Sequence, residues 1–358
     1  MNANQNSLFP SFYDSANAEK WEYRPDHRAL FVEAADYRSR NNVKPSVKDR
    51  KKVHLLVIDA QKDFVFPEGS LYVGGRSGTG AIDDMRRTAE FIYGNLGKIT
   101  HITPTMDTHF PFQIFYPSMW IDDAGQPLMP YDIVNANMEI VRMGDVVGRA
   151  HANPAVAGWL TNGNYAWLSK QFEYYVKELA REGKYELIMW PEHCILGSDG
   201  HALSGIFHEA RMFHSYVRGV QSNVEVKGGN PLTENYSVLG PEVTTRFDGK
   251  ALAQKNARFV RTLVDSDYVV IAGEAGSHCV ASSTDDLLDE INKKDPKLAE
   301  KVYVVTDLMS AVTVPDGGGG FIMDFTPQME NAFDRWERAG MKLVTSTEAI
   351  EDWPGMEL

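Results

Sequence analysis

Six short runs of the sequence string β-branched and other apolar residues together with little polar relief: "VHLLVID" (Val53 to Asp59), "KITHITPT" (Lys98 to Thr105), "YELIMW" (Tyr185 to Trp190), "VEVK" (Val224 to Lys227), "YVVIAG" (Tyr268 to Gly273) and "VYVVTD" (Val302 to Asp307). A strand with one wet face alternates apolar and polar residues, whereas a continuous run is what a strand buried on both faces requires. Helix-like stretches stand between several of them: Ala81 to Gly97, Gly249 to Val264 and Ser282 to Lys294. Strand and helix in alternation predict βαβ units, and so a three-layer α/β fold: a doubly wound, mostly parallel sheet with helices on both faces.

Two regions break this rhythm. Residues 1–52 form a polar and aromatic N-terminal extension, expected to wrap the surface or reach a neighbouring subunit, so a homo-oligomer is expected. Residues 53–358 form the main domain, with an insertion at about 121–184. The insertion is expected to be helical, since Trp167, Leu168, Phe172, Tyr175, Val176 and Leu179 make an apolar stripe of the kind used in cores and interfaces. The run Gly317 to Gly320 reads as a mobile loop. The glycine-rich "GGRSGTG" (Gly74 to Gly80) has neither the order of a dinucleotide fingerprint nor the lysine of a P-loop, so it is not read as a phosphate cradle.

A formal net charge of -13 argues against nucleic acid as a partner. No apolar stretch is long enough to span a bilayer, two cysteines cannot build a disulfide framework, and the start lacks the apolar core of a secretory signal. The expected compartment is a reducing cytoplasm, with no membrane partner.

In an open parallel sheet, ligands bind beyond the carboxyl ends of the strands. The residues that follow the strand runs are therefore informative: Asp59 after the first, Asp107 and His109 after the second, His193 after "YELIMW", Lys227 closing "VEVK", and Cys279 in "EAGSHC". Cys279 lies where a strand gives way to a helix, and there N–H groups and the helix dipole favour a thiolate. Cys194, in "HCILGSDG", reads as packing. Asp107 and His109 are two apart in extended chain and share a face; with His193 they make a two-histidine, one-carboxylate set suited to Zn²⁺ or Fe²⁺ with coordination sites left open.

At this point the sequence resembles the nicotinamidase and isochorismatase-like cysteine hydrolases, most nearly the metal-containing nicotinamidase branch. The matching pieces are, in order, Leu55 to Gly75, "TMDTHF" (Thr105 to Phe110), "WPEHCILGSDGHAL" (Trp190 to Leu203), "VKGGNPLTENYSVL" (Val226 to Leu239) and "AGEAGSHCVASSTDD" (Ala272 to Asp286). The resemblance implies a catalytic triad of Asp59, Lys227 and Cys279, and one divalent ion on Asp107, His109 and His193. It implies a cis peptide at Glu274–Ala275 that turns the N–H groups of Ala275 and Cys279 toward an oxyanion, and a pocket in which Phe64 and Trp190 flank a flat ring. The implied reaction is release of ammonia from a small planar amide through a thioester; in nicotinamidases the metal meets the pyridine nitrogen. An isochorismatase-like or ureido-amide hydrolase, or a catalytically silent binding protein on this fold, are the alternatives. Two residues depart from the family pattern: Glu274 stands for a small apolar residue and His278 for an aromatic one.

Overall fold

The computed structural model describes residues 9–182 and 185–358. Residues 1–8 of the extension and 183–184 of the insertion lie outside the described residues. Six strands form one parallel sheet: β1 (Val53–Ile58), β2 (His101–Asp107), β3 (Glu225–Lys227), β4 (Tyr268–Gly273), β5 (Val302–Val305) and β6 (Lys342–Val344), in the spatial order β6-β5-β4-β1-β2-β3. From β1 the chain runs outward through β2 and β3, then returns to the other side of β1 and runs outward again. The order reverses between β1 and β4, and a crevice opens there beyond their carboxyl ends.

The three-layer arrangement follows from strand alternation. In β1, Val53, Leu55 and Val57 join one apolar cluster while Leu56 and Ile58 join the other; in β4, Val270 and Ala272 face the first, Val269 and Ile271 the second. The first face is covered by helices α1 (His27–Arg40), α2 (Gly80–Gly94) and α4 (Gly205–Arg218), the second by α5 (Ala257–Val264), α6 (Cys279–Lys294) and α7 (Thr326–Arg338). Helix α3 (Tyr165–Glu182) falls within residues 121–184, the stretch expected to be an insertion. The extension contributes α1, capped by Asp26, whose side chain accepts from the N–H groups of Arg28 and Ala29. Leu30, Ala34 and Tyr37 recur at helical spacing and pack α1 on α4, Tyr37 meeting Phe213 with ring centroids 5.4 Å apart.

Several sequence expectations are corrected. The run "YELIMW" is not a strand of the parallel sheet: only Leu187–Ile188 pairs, antiparallel, with Ile133–Val134 of the insertion. Apolar continuity marks burial and does not say against what. The insertion carries its expected helix and, ahead of it, short antiparallel strands (Ile133–Val134, Glu139–Arg142, Asp145–Arg149). β3 is an edge strand with Val226 exposed, so "VEVK" is not buried on both faces. The Gly317–Gly320 run closes a hairpin between Thr313–Pro315 and Phe321–Asp324, where the Asp316 carboxylate accepts from the N–H groups of Gly318 and Gly320.

Candidate active site

The crevice between β1 and β4 collects the rim residues. Asp59 follows β1 directly, at φ 45°, with its carboxylate wholly buried. Its N–H donates to Thr105 Oγ1 at 3.0 Å, and the Thr105 hydroxyl donates back to Asp59 Oδ1, so a β2 side chain fixes the acid. Gly273 pairs with Ile58 across the sheet; a Cβ there would stand 2.1 Å from the Ile58 carbonyl oxygen, and only glycine permits that approach. The chain then passes the cis Glu274–Ala275 peptide and enters α6, whose first residue is Cys279 rather than Ser282. The N–H groups of Ala275 and Cys279 find no acceptor among the described residues.

Lys227 joins these groups. It pairs in register with Asp107, which sets both side chains on one face. Its Nζ lies 2.9 Å from Asp59 Oδ2, 3.0 Å from Asp107 Oδ1 and 3.5 Å from Cys279 Sγ. Burial alone would lower the ammonium's pKa, but the carboxylates of Asp107 and Asp59 overcome it and hold Lys227 charged. Burial pushes the Asp59 carboxyl up against the pull of Lys227. Burial also pushes the Cys279 thiol well up, with Lys227 opposing and the two carboxylates adding. The resting sulfur is therefore a thiol, despite its place at a helix start, and needs a base to ionise it.

Asp107, His109 and His193 converge with their ligand atoms within 4.8 Å of one another, all three buried. His109 Nδ1 faces the Gly228 carbonyl at 3.1 Å and His193 Nδ1 the Pro191 carbonyl at 2.8 Å. A carbonyl only accepts, so each Nδ1 carries a proton and the Nε2 atom of each ring is turned to the carboxylate. Both Nε2 atoms face Asp107 Oδ2, at 2.8 and 3.5 Å, so the three ligand atoms point at one another. The group can hold a metal ion, and its nitrogen and oxygen donors suit a transition metal over Mg²⁺ or Ca²⁺. His193 arrives on a loop held by the Tyr116 hydroxyl, which donates to its carbonyl at 2.8 Å.

A pocket of about 480 Å³, its opening included, lies over Cys279 and the metal-binding group. Phe64 and Trp190 line it, as do Phe115, Glu234, Tyr236 and His278. Sequence reasoning did not read Phe115, Glu234 or Tyr236 as site residues. Glu234 accepts from Tyr236 Oη and Tyr175 Oη, both at 2.7 Å, and Tyr236 accepts from Trp190 Nε1 at 2.8 Å. Burial raises the Glu234 carboxyl to about 8. Gln61 was also missed: its amide donates to the Asp107 carbonyl at 2.8 Å and accepts from the Asp107 N–H at 2.7 Å, holding that residue as a strand partner would.

The two departures from the family pattern have physical accounts. His278 is stacked on Tyr185, with centroids 4.9 Å and planes 13° apart, and burial pulls it to about 3, so it is a neutral aromatic ring. Burial, with the charge of Asp84 adding, pushes the Glu274 carboxyl well above the usual range. It therefore stays neutral beneath the loop and accepts from the Ser310 N–H at 3.2 Å.

No family model matches the chain. The chain is 27% identical over 175 residues to a nicotinamidase of Escherichia coli (strain K12); the match covers 46% of this chain and 59% of that protein's own length. The yeast nicotinamidase bound to the inhibitor nicotinaldehyde is similar at TM-score 0.49 and 16% identity, over 82% of this chain and 99% of that one. A pyrazinamidase of Pyrococcus horikoshii in complex with zinc is similar at TM-score 0.42 and 17% identity, over 82% and 99%. The chain is thus similar to a nicotinamidase over 175 residues, and it spans about three fifths of the length of that curated relative.

Proposed function

We propose that the chain is a metal-containing cysteine amidohydrolase that releases ammonia from a small planar amide of the nicotinamide kind. The observation that carries the reading is one buried ammonium, Lys227 Nζ, in contact with both the Cys279 thiol and the Asp59 carboxylate. Asp59 takes the Sγ proton while Lys227 stays charged beside both groups, and the sulfur attacks the amide carbon. The C=O pair moves onto oxygen, facing the free N–H groups of Ala275 and Cys279, each well-placed donor contributing roughly 3 kcal/mol. Asp59 returns its proton to the departing nitrogen as the C–N bond breaks, and ammonia leaves. Asp59 then takes a proton from water, which attacks the thioester; as the C–S bond breaks, the sulfur leaves and takes that proton back from Asp59, restoring the thiol, and the acid departs.

Asp107, His109 and His193 would hold a divalent ion, Zn²⁺ or Fe²⁺, whose chemistry is to bind a heteroatom of the substrate and so orient it. Phe64 and Trp190 bound the slot for the flat ring. Free thiols fit a reducing cytoplasm, and no helix among the described residues is long and apolar enough to cross a membrane. The test is ammonia release over nicotinamide, pyrazinamide, ureido acids and simple amides, with elemental analysis of the parent and of His109→Ala. Turnover of the aromatic carboxamides, with metal in the parent and a deficit in the variant, is expected. Turnover of ureido acids alone would give the isochorismatase-like alternative, and silence on all substrates a binding protein.

A further inference from the structure

Away from the pocket, the extension and the core enclose a groove of about 1010 Å³, its opening included, between Tyr23–His27, Lys62, the loop 199–203 and the start of α4. Its lining contains Arg24, His27, Lys62, His208 and Arg211 against one carboxylate, Asp199. In a chain of net charge -13 this concentration of basic side chains is unexpected. Lys62 is 4% exposed, and among the described residues its Nζ meets only the Trp21 ring, 5.1 Å from the centroid, with no ion pair or hydrogen bond. Arg211 has no carboxylate partner either: its nitrogens reach His208 Nδ1 at 3.0 and 3.2 Å and Ser222 Oγ at 3.4 Å. Because Arg211 donates to His208 Nδ1, a neutral His208 carries its proton on Nε2 and donates it to His27 Nε2 at 2.9 Å. His27, its Nε2 thus occupied, keeps Nδ1–H as an exposed donor. Gly205, the first residue of α4, also lines the groove, and the helix brings its positive end there. A buried lysine such as Lys62, without a counter-charge, is costly unless an anion completes it.

We propose that this groove binds a small phosphate-bearing anion, clamped between Arg24 and His27 of the extension and Lys62 and Arg211 of the core, with His208 orienting His27 and Arg211. Guanidinium forks, an ammonium and a helix start together match the several oxygens of a phosphate. The groove gives the extension a binding role. It stands apart from the catalytic assignment, and its test does not depend on turnover.

The experiment is calorimetric titration of the full chain with inorganic phosphate and with a nucleoside 5′-monophosphate, alongside thermal unfolding. One saturable equivalent and a raised Tm are expected. Lys62→Met should weaken binding roughly tenfold, the loss of one charge-assisted contact. Arg24→Gln, at an exposed position that does not endanger folding, should weaken it several-fold. Arg335→Gln, which breaks a surface pair with Asp285 on α6, should leave it unchanged. A nucleotide that binds tighter than phosphate identifies an organic ester as the ligand, and equal affinity identifies free phosphate. No saturable binding of either probe up to about 10 mM, or binding that Lys62→Met and Arg24→Gln leave intact, overturns the proposal.

Discussion

Cys194 and Cys279 are both free, both buried, and both raised by burial above the ordinary thiol range. Their neighbours separate them. Cys194 lies at φ 48° in a loop and is used through its backbone: its N–H donates to Asp63 Oδ2 at 2.7 Å and its carbonyl accepts from the His109 N–H at 3.0 Å. Cys279 opens a helix beside an ammonium, and among the described residues its own N–H and that of Ala275 have no acceptor. Depth alone does not make a nucleophile. What matters is whether the surroundings can hold the charge that appears once the proton has moved.

The sharpest way to break this comparison is to exchange the roles of the two thiols. Cys279→Ala should lower turnover by about 10⁴ or more while the fold persists, whereas Cys194→Ala should keep activity within a few-fold. Reversal of the two results in an ammonia assay refutes the assignment of the nucleophile. Next in size is Asp59→Asn, expected to cost roughly 10² to 10⁴ in kcat, with KM changing far less. Full retention of kcat would leave the thiol without its base. Lys227→Met should fall in the same direction, and its metal content reports whether Asp107 has shifted.

A smaller effect concerns Glu234, a buried acid with no cation against it. The folded pKa is near 8 and the ordinary value near 4.5, so the folded state keeps a proton that the unfolded chain has lost. Stability should therefore fall as pH rises across that window. Glu234→Gln should flatten the fall, gaining on the parent in Tm between about pH 5 and pH 9. Parallel Tm curves for parent and variant would show that Glu234 is ionised throughout. The smallest effect is Cys194→Ala on stability, about 1 to 2 kcal/mol for a small buried side chain, read by denaturant unfolding.

Much of the arrangement was legible because chemistry-bearing residues follow continuous apolar runs. Asp59 and Cys279 follow β1 and β4, and Asp107 and Lys227 end β2 and β3, so the topology alone brings them together. His193 was placed at the same rim by the wrong route: an antiparallel pairing with the insertion and the Tyr116 hydroxyl bring it there. β6 escaped notice because three residues, Lys342–Val344, make too short a run to stand out. The helix Gly205–Arg218 was also passed over, although Ile206, Phe207, Ala210, Phe213 and Val217 carry the helical spacing. Glu234 and Tyr236 lie in a loop next to no regular element, and their importance comes from partners, Trp190 and Tyr175, distant in sequence.

The hydrogen-bonded file Trp190–Tyr236–Glu234–Tyr175 ends on helix α3, inside the segment that interrupts the sheet's rhythm. Residues 121–184 are thus bolted to the pocket wall. Shortening them would strip Glu234 of a donor and loosen the Trp190 ring, while leaving the surroundings of Cys279 untouched. Under the proposed function, chain length at this point becomes a dial on which molecules are admitted, turned without altering the reaction they undergo.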